Sequence, residues 1–259
     1  MVVCRAVLGP VAALNTIPGG PDMTYASTPM PSSHPPAPGP VLRSPVGLAQ
    51  AVTVLLGVVI VADLLIVAAS LNMRSLMGKV ASGGVVDFDE GEANRADYAM
   101  AGSAMLYVIA MLATAVVFVI WFHRVRHNAE VFAPDTQSRT PGWAIACWFI
   151  PIANLWIPRG IAADVLRAAQ PDPYGGAPRH RGLLNAWWGA WVWAMVFDRY
   201  ASRTYDKAQD VDAIHDAAGL VMASAGFDAL AAVLAILFVR RLTAAQHEKA
   251  LAGPAVPGH

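Results

Sequence analysis

Three long apolar runs constrain the fold of this chain more than any other feature of its sequence. Val46 to Leu71 carries Asp63 as its only charge, Tyr98 to Phe122 carries none, and Ala217 to Val239 carries Asp228 alone. Each run exceeds the roughly 20 apolar residues that a helix needs to cross about 30 Å of hydrocarbon. The sequence therefore predicts three membrane-spanning helices.

The composition also indicates a membrane protein. Of the 259 residues, 56% are hydrophobic and 14% are charged, whereas soluble domains carry about 25% charged residues. The formal net charge is zero, so no basic surface points to nucleic acid as a partner. We expect an all-α, polytopic membrane helix bundle whose first partner is the lipid bilayer.

Two shorter apolar segments lie between the second and third runs. The first, residues 142–158, reads GWAIACWFIPIANLWIP, and its apolar part would measure roughly 22 Å as a helix, which is short for a crossing. The second, residues 182–200, reaches a spanning length if Asp198 and Arg199 lie at the membrane surface, with the arginine extended towards water. The distribution of positive charge decides between them.

Cytoplasmic loops of membrane proteins carry an excess of Lys and Arg. If the second short segment crosses and the first does not, two thirds of the 18 Lys and Arg residues fall on the side of both termini. If the first segment crosses, alone or with the second, the majority moves to the opposite side. We therefore expect both termini in the cytoplasm and four spans in the cell (inner) membrane, near residues 46–71, 98–122, 182–200 and 217–239.

The regions outside the spans have a distinct composition. Residues 1–43 include TPMPSSHPPAPGP and predict a disordered, proline-rich cytoplasmic tail. Met23 and Met30 are alternative starts to Met1. The membrane domain then covers residues 44–249, with a short amphipathic surface helix at 160–170, and residues 250–259 form a second short tail.

The segment 142–158 has features of a broken helix. Pro151 removes a backbone hydrogen bond, Asn154 offers an amide to groups left without partners, and Trp148 and Trp156 suit the headgroup region. Two interpretations stay open. One is a re-entrant element that lines a site, because broken helices at membrane depth need protein or water around them; the other is an interfacial helix that packs the bundle.

Asp63 and Asp228 are the candidate pathway residues. A carboxylate at the centre of a bilayer costs a few kcal/mol on insertion scales, so such residues often mark ion or proton paths. The alternative is a protonated carboxyl that joins two helices through a hydrogen bond worth about 0.6 kcal/mol. No Lys or Arg lies within the three long runs, which weakens the case for a simple ion-pair switch.

No catalytic arrangement is recognisable in the sequence. It has no GxSxG, HExxH or phosphate-binding glycine loop. His123 and His127 have a spacing that permits metal binding, but Arg124 and Arg126 surround them with positive charge, and a third strong ligand is not obvious. A solvated helix end is the favoured interpretation, and no metal or other cofactor is expected.

Four stretches carry a family resemblance: WFHRVRHNAEVF from Trp121, PGWAIACWFIPIANLWIPR from Pro141, GLLNAWWGAWV from Gly182 and VRRLTAAQ from Val239. Together they resemble the bacterial membrane proteins of domain-of-unknown-function family 4328, over a likeness from about Val46 to Lys249. The W-F-x-P-x-x-N-L-W-x-P core at Trp148 to Pro158 is its specific part. The resemblance implies a multi-pass inner-membrane domain, with no reaction, ligand or catalytic residue attached.

These features favour a non-enzymatic membrane module that organises partners or senses conditions at the cytoplasmic membrane, because hydrophobic packing explains most of them. A small transporter or channel that uses the intramembrane carboxylates is the alternative, and a membrane enzyme is the third interpretation. Other membrane proteins, or a second copy of this chain, are the expected protein partners.

Overall fold

A computed structural model describes residues 41–81 and 90–253, and every regular element in these ranges is helical. The α-helices are α1 (Val46–Ala81), α2 (Glu90–Phe132), α3 (Trp143–Ala146), α4 (Ile157–Ala168), α5 (Arg181–Lys207) and α6 (Val211–Ala252). The prediction of an all-α fold is confirmed for the described residues. Most of the two predicted tails, with the alternative starts Met23 and Met30, lies outside them.

Three of the four long helices have the length and composition to cross a membrane. The candidate spans are Val46–Gly78, Asn94–Phe132 and Val211–Ala252. The 27 residues of α5 measure about 40 Å at 1.5 Å per residue, which is long enough to cross a membrane. Its charged residues, however, make α5 less apolar than the other three long helices. All four helices extend beyond the predicted spans, because a helix continues past its apolar residues wherever its backbone hydrogen bonds are satisfied.

Helix α1 lies between α2 and α6, and α5 packs on the other side of α6. Buried alanines are frequent on the two central helices, among them Ala62 and Ala69 on α1 and Ala218 and Ala225 on α6. Small side chains let neighbouring helices approach closely, which is how helices in membranes gain packing energy. The contact between α1 and α6, which we call the seam, forms the middle of the bundle.

Polar contacts fix the register of the seam at both ends. At one end, the Asn128 side chain pairs with the backbone N–H and C=O of Arg43 (3.0 and 2.8 Å) and donates to Gln246 Oε1 (3.3 Å). At the other end, Arg74 donates to the carbonyl of His215 (3.0 Å). Helices α1 and α6 are therefore antiparallel. We call these the terminal end and the loop end of the bundle.

At the terminal end, aromatic rings fill the space between α2 and α5. The ring centroid of Trp148 lies 5.4 and 5.8 Å from those of Phe118 and Phe122 on α2, and 6.2 and 6.1 Å from those of Trp188 and Trp191 on α5. Most of these pairs meet edge to face, a favoured geometry for aromatic rings. The segment that carries Trp148 therefore bridges two helices that belong to opposite sides of the seam.

The backbone of residues 142–158 is interrupted around Pro151. Helix α3 has only four residues, and turns lead from it to a 3-10 helix at Ala153–Leu155. The helix expected at 160–170 is α4, which begins at Ile157 because a proline, Pro158, suits the first helical turn. Helix α4 buries its apolar face, including Ile161 and Val165, in the hydrophobic core of the bundle.

Charged side chains attach α4, and the loop that leads into residues 142–158, to the long helices. We call residues 142–158 the aromatic segment. Arg126, only 2% exposed, forms an ion pair with Glu130 (3.3 Å) and donates to the carbonyl of Arg139. Lys249 donates to the carbonyl of Ala168 (2.8 Å) at the end of α4, where the helix dipole favours a cation. The terminal end is therefore held by polar contacts as well as by rings.

We expect Asn128→Ala to speed tryptic cleavage after Arg43 and to lower thermal stability. Asn128 is 3% exposed, and its removal leaves the Arg43 backbone groups and the Gln246 amide without these partners, at a cost of about 1–3 kcal/mol. Limited proteolysis in detergent, followed by mass spectrometry, measures the cleavage rate. Asn72→Ala, at an exposed position on α1, is the control, and equal cleavage rates in the two variants would contradict the prediction.

Candidate functional site

Asp63 lies in the middle of α1 with its carboxylate closed off from solvent. Its exposed fraction is 1%, and neither carboxylate oxygen has a hydrogen-bond partner among the residues that the structure describes. An ionised carboxylate that is buried without partners carries a penalty of several kcal/mol. The group must therefore hold a proton or gain a ligand that neutralises it.

Two further groups lie near Asp63, and a third lies near Asp228. The Asp228 carboxylate on α6 is close enough for its charge to act on Asp63. The Tyr107 hydroxyl on α2 donates a hydrogen bond to Asp228, and Asp198 on α5 is near enough to Asp228 for mutual repulsion. We call Asp63, Tyr107, Asp198 and Asp228 the acid layer. Each of the four long helices contributes one member.

The seam register explains why the two acids of the apolar runs face each other. Arg74 contacts His215, and residue numbers fall along α6 as they rise along α1, so Asp63 comes level with Gly226, within one turn of Asp228. The two acids are the pathway candidates predicted from sequence, and the structure brings them together. Their partnership depends on helix register, which the sequence does not reveal.

Asp198 and Tyr107 were not expected at this site. The sequence predicts a surface position for Asp198, whereas ring contacts of α5 with α6, at 5.0 Å between Phe197 and Phe227, bring it beside Asp228. The only sequence signal for Tyr107 is a hydroxyl in the middle of an uncharged run. That signal is weak because aromatic residues are common in membrane helices.

The acid layer has little positive charge to balance it. No Lys or Arg occurs in residues 46–73, 96–123 or 211–239 of α1, α2 and α6, and Arg199, next to Asp198 on α5, is exposed. Within the described residues, no ion pair involves a member of the acid layer. Neutralisation must therefore come from protons or from a bound cation.

The aromatic segment forms a separate region. Trp148 packs on Phe118, which is about 16 Å along α2 from Tyr107. Trp148 Nε1 and Asn154 Oδ1 are buried without partners, whereas Pro151 is exposed and the Trp156 side chain is 73% exposed. These four candidate residues therefore do not share a site with Asp63 and Asp228.

His123 and His127 lie half-buried near the terminal end of α2. The positively charged side chains of Arg126 and Arg43 are close to His123. In the part of the chain that the structure describes, no group of three or more His, Cys, Asp or Glu side chains is arranged to hold a metal ion.

Comparison with known proteins gives one match. A family model described as a domain of unknown function, DUF4328, matches residues 86–244. The match covers all of α2 and most of α6 but begins after α1, so it is shorter than the likeness expected from Val46 to Lys249. No curated protein and no solved structure matches this chain.

We expect Cys147, in the aromatic segment, to resist alkylation. The residue is buried and free, and burial raises the pKa of its thiol to about 11. Because the thiolate is the nucleophile, the reactive fraction near pH 8 is on the order of one in a thousand. Iodoacetamide labelling, followed by mass spectrometry, should be slow in detergent micelles that keep the fold and should accelerate as the pH rises.

An exposed thiol introduced by Gly176→Cys is the reference for that experiment, because a Cβ at Gly176 meets no atom within 4 Å. Labelling of Cys147 at the rate of this reference thiol near neutral pH would show that the aromatic segment opens readily, contrary to the prediction.

Proposed function

The chain belongs to the DUF4328 family, whose description assigns no activity, and we propose that it is a non-enzymatic, multi-pass membrane module that responds to protons. Asp63 is the group that takes up the proton, and Asp228, Tyr107 and Asp198 are the groups that make this uptake depend on helix packing. The observation that carries the proposal is the buried Asp63 carboxylate, without hydrogen-bond partners, opposite a second carboxylate.

The response follows from the repulsion between like charges in a medium of low dielectric constant. Two neighbouring carboxylates keep at least one proton over a wide pH range, because ionising the second places two negative charges in the same site. A protonated Asp63 carries no charge against Asp228. When the proton leaves, Asp63 and Asp228 repel each other across the seam, and Asp198 adds to the negative charge. Proton binding is thereby coupled to the packing of α1 against α6.

The same proposal includes four spans, α1, α2, α5 and α6, with the terminal end in the cytoplasm. Arginines accumulate there, at the exit of α2, in the loop before α3, along α4 and at the exit of α6, as the positive-inside rule requires. Segment 142–158 then lies in the membrane interface or dips into it, because Phe149, Ile152 and Trp156 are exposed by 76%, 78% and 73% and suit lipid.

A small transporter is the second candidate, favoured by the partial exposure of Asp198 and Asp228 beside the closed Asp63. Two surface grooves lie elsewhere, one on α5 around Arg199 and Arg203 and one between α1 and α6 around Gln50. Transport through Asp63 would thus need a second conformation that opens it to solvent. A responsive module needs a change in the packing of α1 against α6 but no alternate opening of Asp63 to the two sides of the membrane, which is why we place it first.

We expect Asp63→Asn to reduce the pH dependence of thermal stability. In the unaltered protein, ionising the acid layer adds repulsion inside the bundle, so stability should fall as the pH rises from about 5 to about 9. Asn cannot ionise, and the melting temperature of the variant in detergent should change less over this range. Asp228→Asn should have the same effect. Asp206→Asn, at an exposed position on α5, should leave the pH profile unchanged.

Two outcomes would decide against the module. Identical pH profiles for Asp63→Asn and the unaltered protein would show that Asp63 does not respond to protons. Proton flux in liposomes that depends on Asp63 would replace the module with the transporter. A hydrophobic carbodiimide, which modifies protonated carboxyls in apolar surroundings, provides a second readout, and its adduct at Asp63 should decline as the pH rises.

The four-span arrangement makes a separate prediction about sidedness. In sealed cells, a membrane-impermeant maleimide should label Gln209→Cys, in the turn between α5 and α6, but not Gly176→Cys, in the loop before α5. Both positions are exposed, and Gln209 leaves intact the N-terminal cap of α6, where Asp210 accepts from Ala213 N–H (2.7 Å). Labelling of both cysteines from outside would rule out α5 as a span.

A further inference from the structure

A proton must reach Asp63 even though its carboxylate is closed to solvent. Two other buried groups without partners lie near it on the same two helices. Ser70 on α1 is 0% exposed and Ser224 on α6 is 4% exposed, and neither hydroxyl has a hydrogen-bond partner. Together with Asp63, they are the buried side chains of α1 and α6 whose polar atoms lack partners within the described residues.

The unpartnered hydroxyls are unusual, because the other buried Ser and Thr hydroxyls of the bundle, those of Ser103, Thr114 and Thr243, have hydrogen-bond partners. Ser103 on α2 donates to the Met100 carbonyl (2.9 Å), and Thr114 donates to the Ala110 carbonyl (2.7 Å). This bond to a preceding carbonyl is the usual solution for Ser and Thr in a helix. Ser70 and Ser224 do not make it, so their hydroxyls are available to another partner.

Helix periodicity places both hydroxyls on the faces that carry the acids. Ser70 follows Asp63 by two turns of α1, and Ser224 precedes Asp228 by one turn of α6, so each pair shares one face of its helix. In the antiparallel seam, both serines are displaced from the acid layer towards the loop end. The next polar group in that direction is Arg74, one turn beyond Ser70, which contacts the His215 carbonyl (3.0 Å).

The spacing of these groups suits water. By the seam register, Ser70 lies about 7.5 Å from Ser224 along the bundle axis, and Ser224 lies about 3 Å from Asp63. One or two waters bridge such separations, because two hydrogen bonds through one water span about 5.6 Å. A buried water typically takes two to four hydrogen bonds from polar groups that otherwise lack partners. Ser70, Ser224 and Asp63 supply such groups in succession from the loop end to the acid layer.

Building on the proton-responsive function, we propose that the seam between Arg74 and Asp63 binds a short file of water molecules that carries protons between the loop end and Asp63. A hydronium ion in the file gives its proton to the Asp63 carboxylate and becomes water, and the reverse step returns the proton. Asp228, Tyr107 and Asp198 face the inner end of the file, and His215 lies at its outer end.

Arg74 limits what can enter this file. Its fixed positive charge at the loop end repels metal cations, as an arginine does in pores that exclude ions. The same charge lowers the local concentration of hydronium, so exchange with solvent is slow. A slow connection is enough to bring Asp63 to equilibrium with the solution, which is what a sensing module requires, whereas rapid net transport would need a more open path.

Water-edited solid-state NMR of the full chain in lipid bilayers tests the file directly. Magnetisation should pass from water to the Cβ signals of Ser70 and Ser224 several-fold faster than to that of Ser103, which is also buried but is bonded to its own helix. Single Ser→Ala variants assign the three signals. Equal, slow transfer to all three serines would overturn the proposal.

A blocking variant adds a second measurement. Ser224→Val removes the hydroxyl and keeps a small side chain, so it should reduce water transfer to the Asp63 carboxyl carbon several-fold, whereas Ser103→Val should not. No reduction in Ser224→Val would count against the file. If Asp63→Asn still reduces the pH dependence of stability but no fast transfer from water to Ser70 and Ser224 is seen, the proton-responsive function stands and the water file is wrong. If the pH profile does not depend on Asp63, the function itself fails.

Discussion

The positions of the buried polar groups in the seam depend on the register of α1, which hydrogen bonds fix at its two ends. Asn128 holds the backbone of Arg43 at the terminal end, and Arg74 holds the His215 carbonyl at the loop end. A shift of one residue along α1 would rotate Asp63 by about 100°. It would then leave Asp228 and turn towards lipid or another helix. The facing acids therefore follow from contacts that lie far from them.

The two halves of the bundle differ in the side chains that fill their cores. The terminal half contains stacked and edge-on aromatic rings around Trp148, the buried Arg126 and the lysine contact at the end of α4. Towards the loop end, the core of the seam is largely alanine, together with the acid layer and the two unpartnered serines. Polar contacts are numerous in the first half and sparse in the second. Local opening should therefore begin in the second half, where the acids lie.

Much of the helical architecture is predictable from sequence because it depends on local properties. Apolar runs longer than 20 residues identify α1, α2 and α6, and Pro151 marks a break because proline cannot continue the hydrogen-bond ladder. The acids were found as candidates because charge is rare in such runs. Tertiary contacts were not predictable from the sequence. Asp228 lies near Asp63 only because of the register of α1 against α6, and Asp198 lies near Asp228 only because α5 packs on α6.

For the aromatic segment too, local features were predictable from the sequence and tertiary contacts were not. Its break was predictable, but its role as a bridge between α2 and α5 was not, because the partners of Trp148 are distant in sequence. Helix α4 begins earlier than expected, since a proline that disfavours a helix interior is accepted in its first turn. Hydropathy therefore locates helices well, and side-chain chemistry at their ends sets where they begin and which neighbours they contact.

The matched family region begins at residue 86, after α1, yet half of the facing acid pair belongs to α1. The acid layer thus combines residues of the matched region with Asp63, which lies on a helix outside that region. In a family member whose first helix has no carboxylate at this depth, the acid of the last helix would face no second carboxylate across the seam. Under the function proposed above, loss of its proton would then create no repulsion between the first and last helices.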